Sequence, residues 1–213
     1  MKCYIIFFNN KSTLLICQNL GDNILKNYFT DQDEDLKWQK GEVKTLLETI
    51  IGNVTSHHNT SKNGVSGDYI IFDTPDWVIV IPEKDDNFLM VKQWRHGENK
   101  LSIEFPGGVV DKGEKPEVAA VRELEEETGC KANTLIKLGS VNPNPALFQN
   151  KVHVFLARDL EATGKQHLDH DEFINYLPIP KDEVIDGMGS EQFPHAIMGT
   201  ALMYYLQYTR KNK

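Results

Sequence analysis

The stretch from Gly108 to Cys130 constrains this chain more than any other. A glycine-rich loop runs into a short helix that carries Glu123, Glu126 and Glu127. At about 100° per residue these three side chains project within roughly a quarter-turn of one another. Like charges at that spacing destabilise a helix by roughly 0.2–0.5 kcal/mol per pair, so a cation is expected against them. A hard divalent ion with oxygen ligands offsets them best, which points to Mg2+, with Mn2+ as the alternative. No Cys or His stands at ligand spacing beside the glutamates, which argues against zinc. A Glu-rich helix face taken alone is ordinary solvated surface; the positions around this one set it apart.

Each of those positions has a physical reason. Gly107 and Gly108 allow positive φ and bring main-chain groups close to a metal or phosphate. Pro116 and Glu117 suit a first helical turn, and Gly129 suits the helix C-terminus. Val118, Val121 and Leu124 recur at intervals of three and predict an apolar stripe that docks the helix on a sheet, opposite the acidic face. Arg122 is expected to pair with Glu114 and so set the position of the loop.

The rest of the chain bounds the reading. Its 213 residues, 40% hydrophobic, with a net charge of -8 and a pI near 5.4, predict one main cytoplasmic domain with an extension. The acidic balance disfavours nonspecific binding to nucleic acid or an anionic membrane. Three cysteines, Cys3, Cys17 and Cys130, lack metal-ligand spacing and are expected to be reduced. The apolar start is too short for a signal peptide, and no run is long enough for a membrane helix.

Residues 1–58 are predicted as a separate extension, with strands over Cys3–Phe8 and Thr13–Gln18 about an Asn9-Asn10-Lys11 turn and a polar helix near Leu36–Ile51. It has no catalytic pattern and is expected to act as scaffold or dimerisation piece. Residues 59–67 read as a flexible linker, and 68–213 as the main domain. In that domain strands are expected over Tyr69–Phe72, Trp77–Ile81, Phe88–Trp94, Leu135–Val141, Val152–Ala157 and Glu172–Leu177. A final amphipathic helix is expected over Ala196–Thr209, with Ile197, Ala201, Tyr204, Tyr205 and Tyr208 on its apolar side.

Gly108, five residues, Glu114, seven residues, then Arg122-Glu123-Leu124, Glu126-Glu127 and Gly129-Cys130 together resemble the signature of the Nudix hydrolases at every fixed position. Cys130, where the family usually carries an aliphatic residue, is a soft departure that a small buried thiol accommodates. The resemblance covers about residues 68–210 and implies an α/β fold, an α/β/α sandwich around a mixed sheet. It also implies a metal-dependent pyrophosphohydrolase acting on a nucleoside diphosphate derivative.

The flanks resemble the ADP-ribose pyrophosphatase branch. The strand Val91–Trp94 ends in Arg95, which that branch would set against the substrate, and Glu104-Phe105-Pro106-Gly107-Gly108 looks like its approach to the signature. Pro145 follows Gly129 by sixteen positions, the spacing associated with ADP-ribose hydrolysis, and Asp169–Ile174 resembles the loop that supplies a further carboxylate. The resemblance thus implies metal ligands at Glu123, Glu126, Glu127, Glu172 and the Gly107 carbonyl, and substrate contacts from Arg95, Glu104 and an adenine-stacking Phe148 or Trp94. Glu172 is the expected base, with Glu126 and Glu127 also catalytic and Glu127 the alternative base. The implied products of ADP-ribose are AMP and ribose 5-phosphate, made by a homodimer whose interface could use the apolar Tyr69–Ile81 strands. A sugar nucleotide, NADH or a dinucleoside polyphosphate is the competing substrate class. A binding module that has lost catalysis fits less well, because every acidic position is intact.

Overall fold

The structure is a computed structural model that describes residues 2–8, 12–18, 26–164 and 166–212. The expected Asn9-Asn10-Lys11 turn lies outside them. The chain divides into two compact units, one of residues 1–20, 76–141 and 152–213, the other of 21–75 and 142–151.

The first unit is built on a mixed sheet. Strands β1 (Lys2–Phe8) and β2 (Ser12–Gln18) form an antiparallel hairpin, and β2 runs parallel to the strand after the acidic helix. Strands β3 to β5 belong to the second unit and are described below. The sheet continues with β6 (Trp77–Lys84), β7 (Asn87–Arg95) and β8 (Lys100–Glu104). After helix α1 (Pro116–Thr128) come β9 (Cys130–Val141), β10 (Val152–Ala162) and β11 (Asn175–Pro180), then α2 (Lys181–Gly187) and α3 (Ala196–Lys211). The strand order is β1-β2-β9-β10-β6-β7-β11, with β8 also on β7; β6 and β10 are parallel, while β9 and β10 are antiparallel.

Both faces of this sheet are covered, which accounts for the continuous apolar run Trp77–Ile81 where an exposed strand would alternate. Val78 and Val80 pack with Leu135, Phe155 and the α1 residues Ala119, Ala120 and Leu124. Ile79 and Ile81, pointing the other way, pack with Val154, Leu156 and the α3 residues Met198, Ala201, Leu202, Tyr205 and Tyr208. The result is the layered α/β arrangement expected from the sequence.

The details differ in several places. The buried face of α1 is Ala119, Ala120, Glu123, Leu124, Glu127 and Thr128, while Val118 and Val121 are only partly buried. Two alanines let the helix backbone sit close on the sheet, and the valines flank that contact. Glu123 and Glu127 therefore share the core-facing side instead of lying opposite it, while Glu126 stays partly exposed. On α3, Met198 and Leu202 replace Ile197 and Tyr204 in the fully buried set. Glu172 does not open a strand; it lies in the turn before β11. Cys17 is disulfide-bonded, against the expectation of reduced thiols, in a hairpin whose register sets Cys3 opposite Cys17; Cys130 is free and buried.

The second unit is a three-stranded antiparallel sheet of β3 (Trp38–Thr49), β4 (Gly52–Ser61) and β5 (Ser66–Asp73), preceded by a 3-10 turn over Asp31–Leu36. The helix expected near Leu36–Ile51 is thus strand β3, and the expected linker 59–67 is the end of β4, its turn and the start of β5. β-branched Val43, Thr45 and Thr49 favour strand, and Thr60 pairs with Ser66 across the hairpin. The polar residues of 59–67 are those of paired strands and their turn, not of a flexible linker. In the same unit the ring of Phe148 stacks on Phe72, with centroids 5.1 Å apart and planes 20° apart.

Among the described residues no helix is long and apolar enough to cross a membrane.

Candidate active site

The acidic helix is held by its ends. Lys115 precedes it, Pro116 starts it with φ already set, and Gly129 ends it in the left-handed region at φ 63°. Gly129 N–H donates to the Glu125 carbonyl. Three further carbonyls at this terminus are met by the segment after β10: Thr163 N–H donates to Gly129, His167 N–H to Glu126 (2.9 Å) and the Gln166 side chain to Glu127 (2.5 Å). These bonds tie the loop that carries Glu172 to the last turn of α1. Sequence reading gave no sign of Gln166 or His167, because each contact spans about forty positions and follows no local period.

The loop before the helix runs against β6. Val80 N–H donates to the Pro106 carbonyl and Val78 N–H to that of Gly108, each at 2.9 Å. Between these two bonds, Gly107 donates its N–H to Glu127 Oε2 at 2.9 Å. A Cβ on Gly107 would lie 2.1 Å from the Val78 carbonyl oxygen, and one on Gly108 would lie 2.6 Å from the Glu123 carboxylate. Only Gly107 of the two has positive φ; Gly108 is needed for the close approach of a carboxylate.

Arg122 makes the expected pair with Glu114, Nη2 to Oε2 at 3.0 Å and Nε to Oε1 at 3.2 Å. It also donates from Nη1 to Glu123 (2.7 Å) and Glu126 (3.0 Å), and from Nη2 to the Val109 carbonyl. One guanidinium thus links the loop to two of the three helix glutamates.

Burial governs the charges. Glu123 and Glu127 are 8% and 3% exposed. Burial pushes the Glu127 carboxyl up to about 8; the Gly107 amide opposes this, and the charges of Glu123 and Glu172 add to it. Burial likewise raises Glu123 to about 7, with Arg122 opposing and Glu126 and Glu172 adding. Glu172 is exposed and close enough to influence both. In this conformation no three acidic, His or Cys side chains among the described residues converge on one point at ligand distance, because Arg122 holds Glu123 and Glu126 while Gly107 holds Glu127. The donor set nonetheless fits a hard divalent cation: oxygen-only carboxylates, desolvated and mutually repelling, beside a glycine loop.

Glu104 lies in the interior beside the site. It has no exposed surface, and its carboxylate accepts Arg95 Nε at 2.7 Å, Arg95 Nη2 at 2.5 Å and His195 Nδ1 at 2.9 Å. Burial alone would raise its pKa, but those hydrogen bonds outweigh it and hold the carboxyl at about 2. Glu104 is a buried anchor for Arg95. Trp94 is 45% exposed and Arg95 part-buried, charge-coupled to Glu127. Phe148 belongs to the second unit, packed on Phe72.

A layered α/β domain that presents buried glutamates beside a glycine loop is the Nudix architecture, and the NUDIX domain family matches residues 74–193: this chain belongs to that family and is a Nudix pyrophosphohydrolase. It is 35% identical over 144 residues to the ADP-ribose pyrophosphatase of Bacillus subtilis, covering 67% of this chain and 78% of that one. It is 32% identical over 154 residues to the methanol dehydrogenase activator of Bacillus methanolicus, covering 71% and 83%. The crystal structure of an ADP compounds hydrolase superposes with a TM-score of 0.74 at 26% identity over 83% of this chain and 96% of that one.

The raised carboxyls carry a signed expectation. Glu123 and Glu127 bind protons more tightly in the folded chain than at their ordinary value of 4.5. Metal-free protein should therefore lose stability as pH climbs from about 4.5 through 8, and a bound divalent cation should cancel that loss. In scanning calorimetry the Tm gap between Mg2+-loaded and chelated samples should widen from about pH 6 to about pH 9. A gap independent of pH would contradict the assignment.

Proposed function

We propose that the chain hydrolyses the diphosphate of ADP-ribose to AMP and ribose 5-phosphate with Mg2+, Mn2+ serving in its place. The observation that carries this reading is the buried Glu123 and Glu127 pair beside the Gly107 loop, with Arg95 fixed next to it by a fully buried Glu104. The names of the relatives support the ADP-linked substrate.

Glu123, Glu126, Glu127 and Glu172, with the Gly107 carbonyl, would hold Mg2+ once Arg122 releases Glu123 and Glu126. Bound there, Mg2+ supplies charge neutralisation of the diphosphate and orientation of a water for in-line attack on phosphorus. Arg95, clamped by Glu104, engages a phosphate oxygen through its fork of N–H donors. Glu172, on the exposed loop tied to α1, takes the proton from the attacking water; Glu127 is the alternative acceptor. Adenine stacking by Phe148 would have to be reconciled with its place on Phe72.

We further propose a homodimer acting in the cytoplasm. Of the expected interface strands, β5 exposes Tyr69 and Ile70 while Val78–Ile81 is buried in the first unit; β3 adds exposed Trp38, Val43, Leu46 and Leu47, followed by Ile50 and Ile51. So many exposed apolar residues on one strand suit burial against a second copy.

A hydrolysis screen with Mg2+ across ADP-ribose, sugar nucleotides, NADH and dinucleoside polyphosphates should give the highest kcat/KM for ADP-ribose. A higher value for another compound would overturn the substrate while leaving the pyrophosphohydrolase class in place.

A further inference from the structure

Helix α3 starts badly. Its N-cap is His195, whose side chain makes no capping hydrogen bond, although Ser, Thr, Asp or Asn would satisfy the exposed amides there. A position that forgoes local stability often serves something else. The His195 ring instead turns to Glu104, Nδ1 to Oε2 at 2.9 Å, on the oxygen that also accepts Arg95 Nη2. A carboxylate held near pKa 2 can only accept, so Nδ1 carries the hydrogen. The segment before α3 is separately anchored, since Ile103 N–H donates to the Gln192 carbonyl at 2.8 Å and Phe193 is buried. The ring contact is therefore not required to hold α3 on the sheet.

We propose that His195 is a positioning residue for substrate binding: through Glu104 it fixes the Arg95 guanidinium beside the acidic helix. Without the His195 donor, Glu104 keeps two bonds from Arg95 but has lost the third that locks its carboxylate plane. The Arg95 fork then samples other directions and presents fewer well-aligned donors to a phosphate. The effect falls on binding, because nothing in this relay touches the attacking water. The inference rests on the reading of Arg95 as a phosphate contact.

Two substitutions separate positioning from plain stability. His195→Ser can cap α3 but is too short to reach Glu104. His195→Asn places an amide donor near the position of Nδ1. Steady-state kinetics on the best substrate of the screen, with Arg95→Ala measured alongside, should show KM rising about tenfold in His195→Ser with kcat within about twofold of the unsubstituted enzyme. His195→Asn should bring KM back to within about threefold. An unchanged KM in His195→Ser, or a rise in His195→Asn as large as that in His195→Ser, overturns the proposal. So does a His195→Ser loss that appears in kcat alone. If Arg95→Ala raises KM and His195→Ser does not, the Arg95 reading stands and the positioning role falls. If Arg95→Ala leaves KM unchanged, the Arg95 reading itself fails and takes the proposal with it. Thermal midpoints of both His195 variants should stay within a few degrees of the unsubstituted enzyme, and His195→Asn keeps the test decisive if His195→Ser folds poorly.

Discussion

Glu126→Gln and Glu127→Gln should each lower kcat on ADP-ribose by about 10^3-fold, with the fold intact. Each removes a negative charge from the place where a divalent cation must be held, and neither changes side-chain shape. The two variants differ in what they do to the metal-free protein. Glu127 is almost fully buried, and its carboxyl favours the proton up to about pH 8. A Gln there resembles the protonated acid and can still accept the Gly107 N–H through its amide oxygen, so metal-free stability near neutral pH should hold or rise. Glu126 is more exposed and pairs with Arg122, so its neutralisation should cost little stability, of the order of an ordinary surface pair, about 0.5 kcal/mol. Loss of turnover combined with unchanged or higher Tm in Glu127→Gln would be the mark of a site that sacrifices stability for chemistry. Near-unsubstituted kcat in both variants would sink the assignment of the acidic helix.

The largest structural effect is expected from Gly107→Ala. Its Cβ would sit 2.1 Å from a main-chain oxygen of β6, an atom fixed by the central sheet, so the loop must move away. That displacement breaks the Gly107 amide bond to Glu127 and loosens the flanking Val78 and Val80 ladder bonds. A cost of about 3 kcal/mol follows from the overpacking alone. Gly113→Ala is the control: it too has positive φ, 86°, but a Cβ there meets nothing within 4 Å, so only the backbone cost of about 1 kcal/mol applies. Urea denaturation of the two variants should reproduce that order. Equal losses would mean that the Gly107 loop is not pinned against β6 as described.

The part of the molecule legible in the sequence was the part governed by local rules. Pro116 and Gly129 bound α1, runs of large apolar residues marked β6 and β10 as strands, and the Arg122–Glu114 pair followed from proximity along the chain. What failed were features decided by other segments. Val118 and Val121 have the right spacing for a core stripe, but two adjacent alanines allow closer packing and win the sheet contact. Strand β3 is exposed along its whole length, so no burial pattern announced it, and only pairing with β4 makes it a strand. The place of Glu104 before the glycine loop was legible, but its burial under Arg95 and His195 depends on α3, some ninety positions downstream. The site's charges were readable, whereas the network that orients them was not.

The central claim is that the acidic helix and its loop cleave a phosphoanhydride with the aid of a divalent metal, and ADP-ribose turnover measured with Mg2+ and again after chelation tests it most directly. The account predicts AMP and ribose 5-phosphate in equal amounts with Mg2+, and loss of essentially all turnover on chelation that returns when Mg2+ is restored. Undiminished turnover under chelation, or release of ADP and free ribose, would contradict it.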